Sequence, residues 1–116
     1  MTPEDRALCV RVAREVMGYT DVQTTDGMIV GTDHHGIQRR CDPLHDDRDF
    51  GALLDKCAER WEVALVMVRQ RAPASWRCEI IQQNVPIGVA DTPDRRRALV
   101  LASLAAVEAE RNEEMT

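Results

Sequence analysis

Apolar residues recur at helical spacing in three stretches of this chain, and between them the pattern shortens to the period of strands. Leu8, Cys9, Val12, Ala13 and Val16 form one face over residues 3–17. Thr2 is placed to cap that helix, Pro3 to open it, Glu4 and Asp5 to meet the positive end of its dipole, and Gly18 to stop it. Phe50, Leu53, Leu54, Cys57 and Trp61 make a second stripe, which predicts a helix over 47–61 capped by Asp46 or Asp47. Thr92 as cap and Pro93 at the first position open a third helix over 93–109. Its broad apolar surface from Ala98 to Val107 calls for deep burial, and a polar tail follows over 110–116.

The strands read differently from one another. Residues 62–69 are β-branched and apolar at successive positions, which predicts a strand covered on both faces. Arg71-Ala72-Pro73-Ala74 reads as a turn, residues 75–82 alternate as a half-exposed strand, and 87–90 form a third strand after Asn84-Val85-Pro86. A simple meander would leave the 62–69 strand at an edge, so a strand from the 28–40 region is expected to flank it. Residues 19–45 are polar, with an Asp26-Gly27 turn signal and short apolar runs at Met28-Ile29-Val30 and around Ile37, the pattern of an irregular hairpin. This order of elements predicts an α+β fold: an alpha-beta-alpha sandwich with a mainly antiparallel sheet of three to five strands and helices on both faces, formed as a single domain over 1–116.

Composition narrows the class. A chain of 116 residues with 44% hydrophobic and 30% charged residues sustains one modest core and does not have the composition of a disordered protein. The formal net charge of −5 repels nucleic acid and anionic membrane at long range, so non-specific nucleic-acid binding is not expected. Aromatic residues make up 3% of the chain, too few to stack successive bases of a single strand. There is no apolar run of about 18 residues to span a membrane. The first residues are acidic and amphipathic rather than basic and then apolar, so a cytoplasmic location is expected. Cys9, Cys41, Cys57 and Cys78 are far apart in sequence and form no C-x-x-C pair; three of them fall in phase with apolar neighbours, the pattern of reduced core thiols.

Three features bear on chemistry. His34, His35 and His45 lie close together among Asp33, Cys41, Asp42, Asp46 and Asp47. A zinc site would draw on two histidines, Cys41 and a carboxylate, but the spacing matches no closed motif, and adjacent histidines on a strand face opposite ways. No metal or cofactor is therefore assigned. Asp46, Asp47 and Asp49 resemble paired catalytic carboxylates, yet capping and dipole compensation explain acids at a helix start more simply. Arg95-Arg96-Arg97 puts three cations where the dipole is already positive, an arrangement offset either by neighbouring carboxylates or by a bound anion. No nucleophile is paired with a base and no phosphate-cradling glycine loop is present, so no catalytic residue is assigned. The candidate binding residues are Arg39, Arg40, His45, Arg95, Arg96 and Arg97.

Laid out this way, the chain resembles the NinX-like and phage alpha-beta-alpha sandwich proteins of tailed phages and prophages. The residues that carry the resemblance are Ala13-Arg14-Glu15-Val16-Met17-Gly18, Asp42-Pro43 leading to Asp49-Phe50-Gly51-Ala52-Leu53-Leu54-Asp55-Lys56, Trp76-Arg77-Cys78-Glu79, and Ala90-Asp91-Thr92-Pro93 continuing to Ala98-Leu99. The chain departs from that pattern in the histidines and arginines of residues 33–40. The resemblance implies a phage or prophage accessory protein in the cytoplasm of a bacterial host, binding a host or phage protein in host takeover or anti-defence. It supplies no catalytic residue. A nucleotide or other small anion is the alternative partner, and a metal-dependent enzyme the third.

Overall fold

The computed structural model describes residues 1–68 and 75–114. The fold is α+β, with three helices and two three-stranded antiparallel sheets. The chain divides into two compact units, Met1–Lys56 and Cys57–Thr116.

In the first unit, α1 (Pro3–Arg11) begins as its sequence dictates: Thr2 Oγ1 accepts the Asp5 N–H at 3.1 Å and Pro3 opens the first turn. The helix then widens into a π segment, Val12–Val16, where the Met17 N–H reaches Val12 O at 2.9 Å and the Tyr19 N–H reaches Ala13 O at 2.8 Å. Gly18, at φ 75°, ends it. Strands β1 (Thr20–Thr25), β2 (Met28–Thr32) and β3 (Gln38–Arg40) follow in that order across one sheet. Asp26 and Gly27, at φ 51° and 77°, form the two-residue β1–β2 turn that the Asp-Gly pair signals. Cys9, Val12, Ala13, Ile29, Cys41 and Leu44 are among the buried residues of this unit.

Helix α2 (Asp47–Arg60) carries the expected stripe, with Phe50, Leu53, Cys57 and Trp61 buried. Asp46 is its cap: Oδ1 accepts the Asp49 N–H at 2.9 Å.

In the second unit, β4 (Glu62–Val68), β5 (Ser75–Gln82) and β6 (Val85–Thr92) form an antiparallel meander, and α3 (Arg95–Glu114) packs against β5 and β6. Gly88 is the closest point of that packing, where a Cβ would stand 2.2 Å from Ala102 O and 2.7 Å from Ala106 N. Cys78, Ile80, Leu99 and Val100 are completely buried.

Several expectations need correction. Strand β2 pairs with β1 and β3 rather than flanking β4. Strand β4 therefore lies at an edge, with Val66 55% and Met67 37% exposed, although its apolar run reads as a strand covered on both sides. Strand β6 begins at Val85 rather than 87, because Gln83 and Asn84 supply a positive-φ turn and an edge strand tolerates Pro86 without its N–H. Asp94, not Thr92, caps α3: the Asp94 carboxylate accepts the Arg96 N–H at 2.9 Å, and Thr92 Oγ1 instead accepts the Asp94 N–H at 3.4 Å. The same helix runs to Glu114, through most of the stretch expected to be a polar tail. The turn expected at residues 71–74 and the last residue of the 62–69 strand lie outside the described residues. No helix among the described residues is long and apolar enough to cross a membrane.

Candidate functional site

The polar residues of the first unit are gathered by two carboxylate-centred turns. Asp33 closes the β2–β3 loop: its Oδ1 accepts the His35 N–H at 2.9 Å and the Ile37 N–H at 3.0 Å, and its Oδ2 takes Arg39 Nε at 3.0 Å. The Ile37 amide, followed by the Arg39 guanidinium, holds the Asp33 carboxyl down to about 2, so it is a carboxylate throughout the physiological range. Arg39 is thereby fixed in direction from the loop side.

Arg40 is held from the helix side. Its Nε lies 3.1 Å from Asp49 Oδ2 and its Nη2 reaches Asp46 Oδ2, so one guanidinium bridges the cap of α2 and a residue of its first turn. Asp49 Oδ2 also accepts the Asp42 N–H at 3.0 Å, which ties the 41–46 loop to the helix start. The Asp49 amide is the main cause that lowers Asp46 below the usual carboxylate range, with Arg40 adding to it.

These two anchored arginines line a cavity of about 540 Å³ together with Arg48, Tyr19, Gln38 and Asp49. Gly31 lets Tyr19 sit close over β2: a Cβ at that position would meet Tyr19 Cβ at 2.7 Å. Burial, more than any charge, raises the Tyr19 hydroxyl above its ordinary value, so it stays a neutral donor. Among the described residues no carboxylate pairs with the Arg48 guanidinium. The cavity thus presents two oriented guanidinium groups, one cation with no ion-pair partner among the described residues, a phenol and an amide. These are donors suited to a phosphate or carboxylate.

His45 stands on the other side of the same loop. Its Nδ1 is 3.0 Å from Asp42 Oδ1 and its Nε2 is 3.4 Å from Asp5 Oδ2, so it bridges the loop to α1 rather than lining the cavity. Cys9 Sγ donates to the same Asp42 Oδ1 at 3.8 Å. His34 and His35 are exposed at the loop tip, with ring centroids 3.9 Å apart. No group of three or more His, Cys, Asp or Glu side chains among the described residues is arranged to hold a metal ion.

Arg95, Arg96 and Arg97 belong to the second unit. The backbone N–H groups of Arg96 and Arg97 point at Asp94 Oδ1, at 2.9 and 3.5 Å, so the chain's own carboxylate occupies the position an external anion would take. Arg95 lies 5.9 Å over the half-buried Trp76 ring, a cation–π contact. The candidate residues are therefore not brought together: Arg39 and Arg40 share a cavity, His45 bridges the 41–46 loop to α1, and Arg95–Arg97 surround a helix start that is already capped.

Sequence reasoning missed Arg48, which completes the cavity. A usable signal lies in the alternation Asp46-Asp47-Arg48-Asp49 downstream of Arg39-Arg40, because a carboxylate at the cap and one three residues on are spaced to grip a single arginine.

All four cysteines are free and buried. Burial is the first cause that pushes Cys9, Cys41 and Cys57 up to about 12 and Cys78 up to about 11, with the Asp42 carboxylate adding to the rise at Cys9. Because the folded values lie above the unfolded value near 9.0, the stability these thiols contribute is complete below that pH and is lost as pH rises toward about 12. The folded chain is accordingly expected to resist a thiol reagent at about pH 8, with its urea midpoint falling steadily above about pH 9. Fast labelling of the folded chain at about pH 8 would contradict this.

Compared with protein-family models, with curated proteins and with solved structures, the chain matches none.

Proposed function

We propose that this protein acts by binding, and that its primary ligand is a small phosphate- or carboxylate-bearing anion, of the nucleotide class, held in the cavity between β3 and the start of α2. One observation carries the reading: Arg39, Arg40 and Arg48 converge on one cavity, and their carboxylate partners Asp33, Asp46 and Asp49 fix two of them while no described carboxylate offsets the third. Three carboxylates against three guanidinium groups make the site preorganised rather than strongly basic. The ligand therefore gains mainly from oriented hydrogen bonds, and added salt should weaken it.

The wider role, a phage or prophage accessory protein, rests on the sequence resemblance. A host or phage protein as partner is a second reading, which the exposed apolar side chains of Val66, Val85 and Val89 favour.

Titration calorimetry with inorganic pyrophosphate at low salt tests the anion reading. Arg48→Gln is expected to weaken binding roughly 10- to 100-fold, as loss of one charge-assisted contact does. Arg96→Glu should leave it unchanged. Equal affinity of the Arg48→Gln variant and the parent would overturn the assignment.

A further inference from the structure

We propose that the ligand is a ribonucleotide whose uncharged nucleoside half lies in a second cavity, on β1 and β2, beside the arginine cavity. The proposal rests on the anion reading and adds what the anion is attached to. The second cavity has a volume of about 340 Å³ and takes its walls from β1, β2 and Gln38. Met28 and Gln38 line both cavities, so the two adjoin across these side chains and one nucleotide reaches into both. Their charge differs. Three guanidinium groups line the first, whereas among the described residues the second is lined by no Lys or Arg and by one carboxylate, Asp21. A phosphate is drawn to the first cavity and repelled from the second, which fixes the direction of the ligand.

The second lining matches a nucleoside. Gln23 and Gln38 each carry donors and an acceptor on one amide, the combination that reads the edge of a nucleobase. Met28, 46% exposed, and the half-buried Val30 offer the base an apolar surface. Asp21 supplies what a ribose diol needs, a carboxylate that accepts from two hydroxyls. The backbone bends to place it. Thr20 to Gln23 on β1 faces Thr32 to Val30 on β2, one residue more on β1, and Asp21 sits in that bulge at φ 49°. The carboxylates of Asp33, Asp46 and Asp49 are taken by arginines, but that of Asp21 has no hydrogen-bond or ion-pair partner among the described residues.

Titration calorimetry on the full chain with the diphosphates of adenosine, guanosine, cytidine and uridine, set against inorganic pyrophosphate, tests this. At least one of the four should bind roughly 10- to 100-fold more tightly than pyrophosphate, and about 10-fold more tightly than its own 2′-deoxy form. Asp21→Asn keeps a residue that tolerates the left-handed conformation, so the thermal midpoint should not move. That variant should bind the nucleotide about 10-fold more weakly without losing affinity for pyrophosphate. Arg48→Gln should weaken both ligands. If pyrophosphate binds and no nucleoside diphosphate binds more tightly, the nucleoside cavity is overturned while the anion reading stands. The same holds if the 2′-deoxy form binds equally well, or if Asp21→Asn leaves the nucleotide affinity unchanged. If pyrophosphate does not bind at all, the anion reading falls and this inference falls with it.

Discussion

Gly88→Ala is expected to reach or exceed the upper end of the ~1–3 kcal/mol that overpacking a core costs, and to lower the urea midpoint more than any other single-methyl addition in this chain. The new Cβ would stand 2.2 Å from Ala102 O and 2.7 Å from Ala106 N, and both of these are backbone atoms of α3. A flexible side chain could swing aside; a helix backbone must move bodily away from β6, and with it the buried Leu99, Val100 and Ala102 lose their packing. Gly51→Ala is the matching control. It sits in α2 with nothing within 4 Å of the added methyl, so the gain in helix propensity of ~1 kcal/mol should raise stability instead. Equal effects of the same sign would mean that the close approach of α3 to β6 is wrong.

The second large effect separates two leucines that the sequence treats alike. Leu53, 1% exposed on α2, should lose ~2–5 kcal/mol on truncation to Ala, as fully buried leucines do. Leu65 also lies within an apolar run, and its sequence context suggests a similar loss. It is only partly buried on an edge strand, so a cost of about 1 kcal/mol is expected, in proportion to the smaller apolar area it removes from water. The two urea midpoints measured side by side check this. A Leu65→Ala loss equal to that of Leu53→Ala would show that β4 is covered on both faces after all.

The contrast between those leucines shows what the sequence carries and what it does not. Local chemistry was legible: Thr2 and Pro3 open α1, Asp26-Gly27 turns β1 into β2, and Asp46 caps α2, because each acts within about four residues of itself. Strand order was not legible, because the apolar run of β4 shows which side chains avoid water without showing what covers them. The π widening at Val12–Val16 leaves no signal in periodicity, since a five-residue segment shifts the apolar face too little to be seen. The candidate site was half legible. Arg39 and Arg40 stood out as a pair, but their partners Asp33, Asp46 and Asp49 and their neighbour Arg48 come together only when the 33–37 and 41–46 loops close. Arg95–Arg97 drew attention as cations crowded at a helix start, and the cap supplied by the Asp94 carboxylate accounts for how the first amides of that helix are satisfied.

Amide chemical-shift mapping of the parent chain during titration with inorganic pyrophosphate is the most direct measurement of where an anion sits. Binding at the cavity predicts that the largest shifts fall on Tyr19, Gln38, Arg39, Arg40 and Arg48, diminish with added salt, and leave the amides of Arg96 and Arg97 in place. Shifts confined to residues 94–98, or none at saturating ligand, would contradict the assignment of this site.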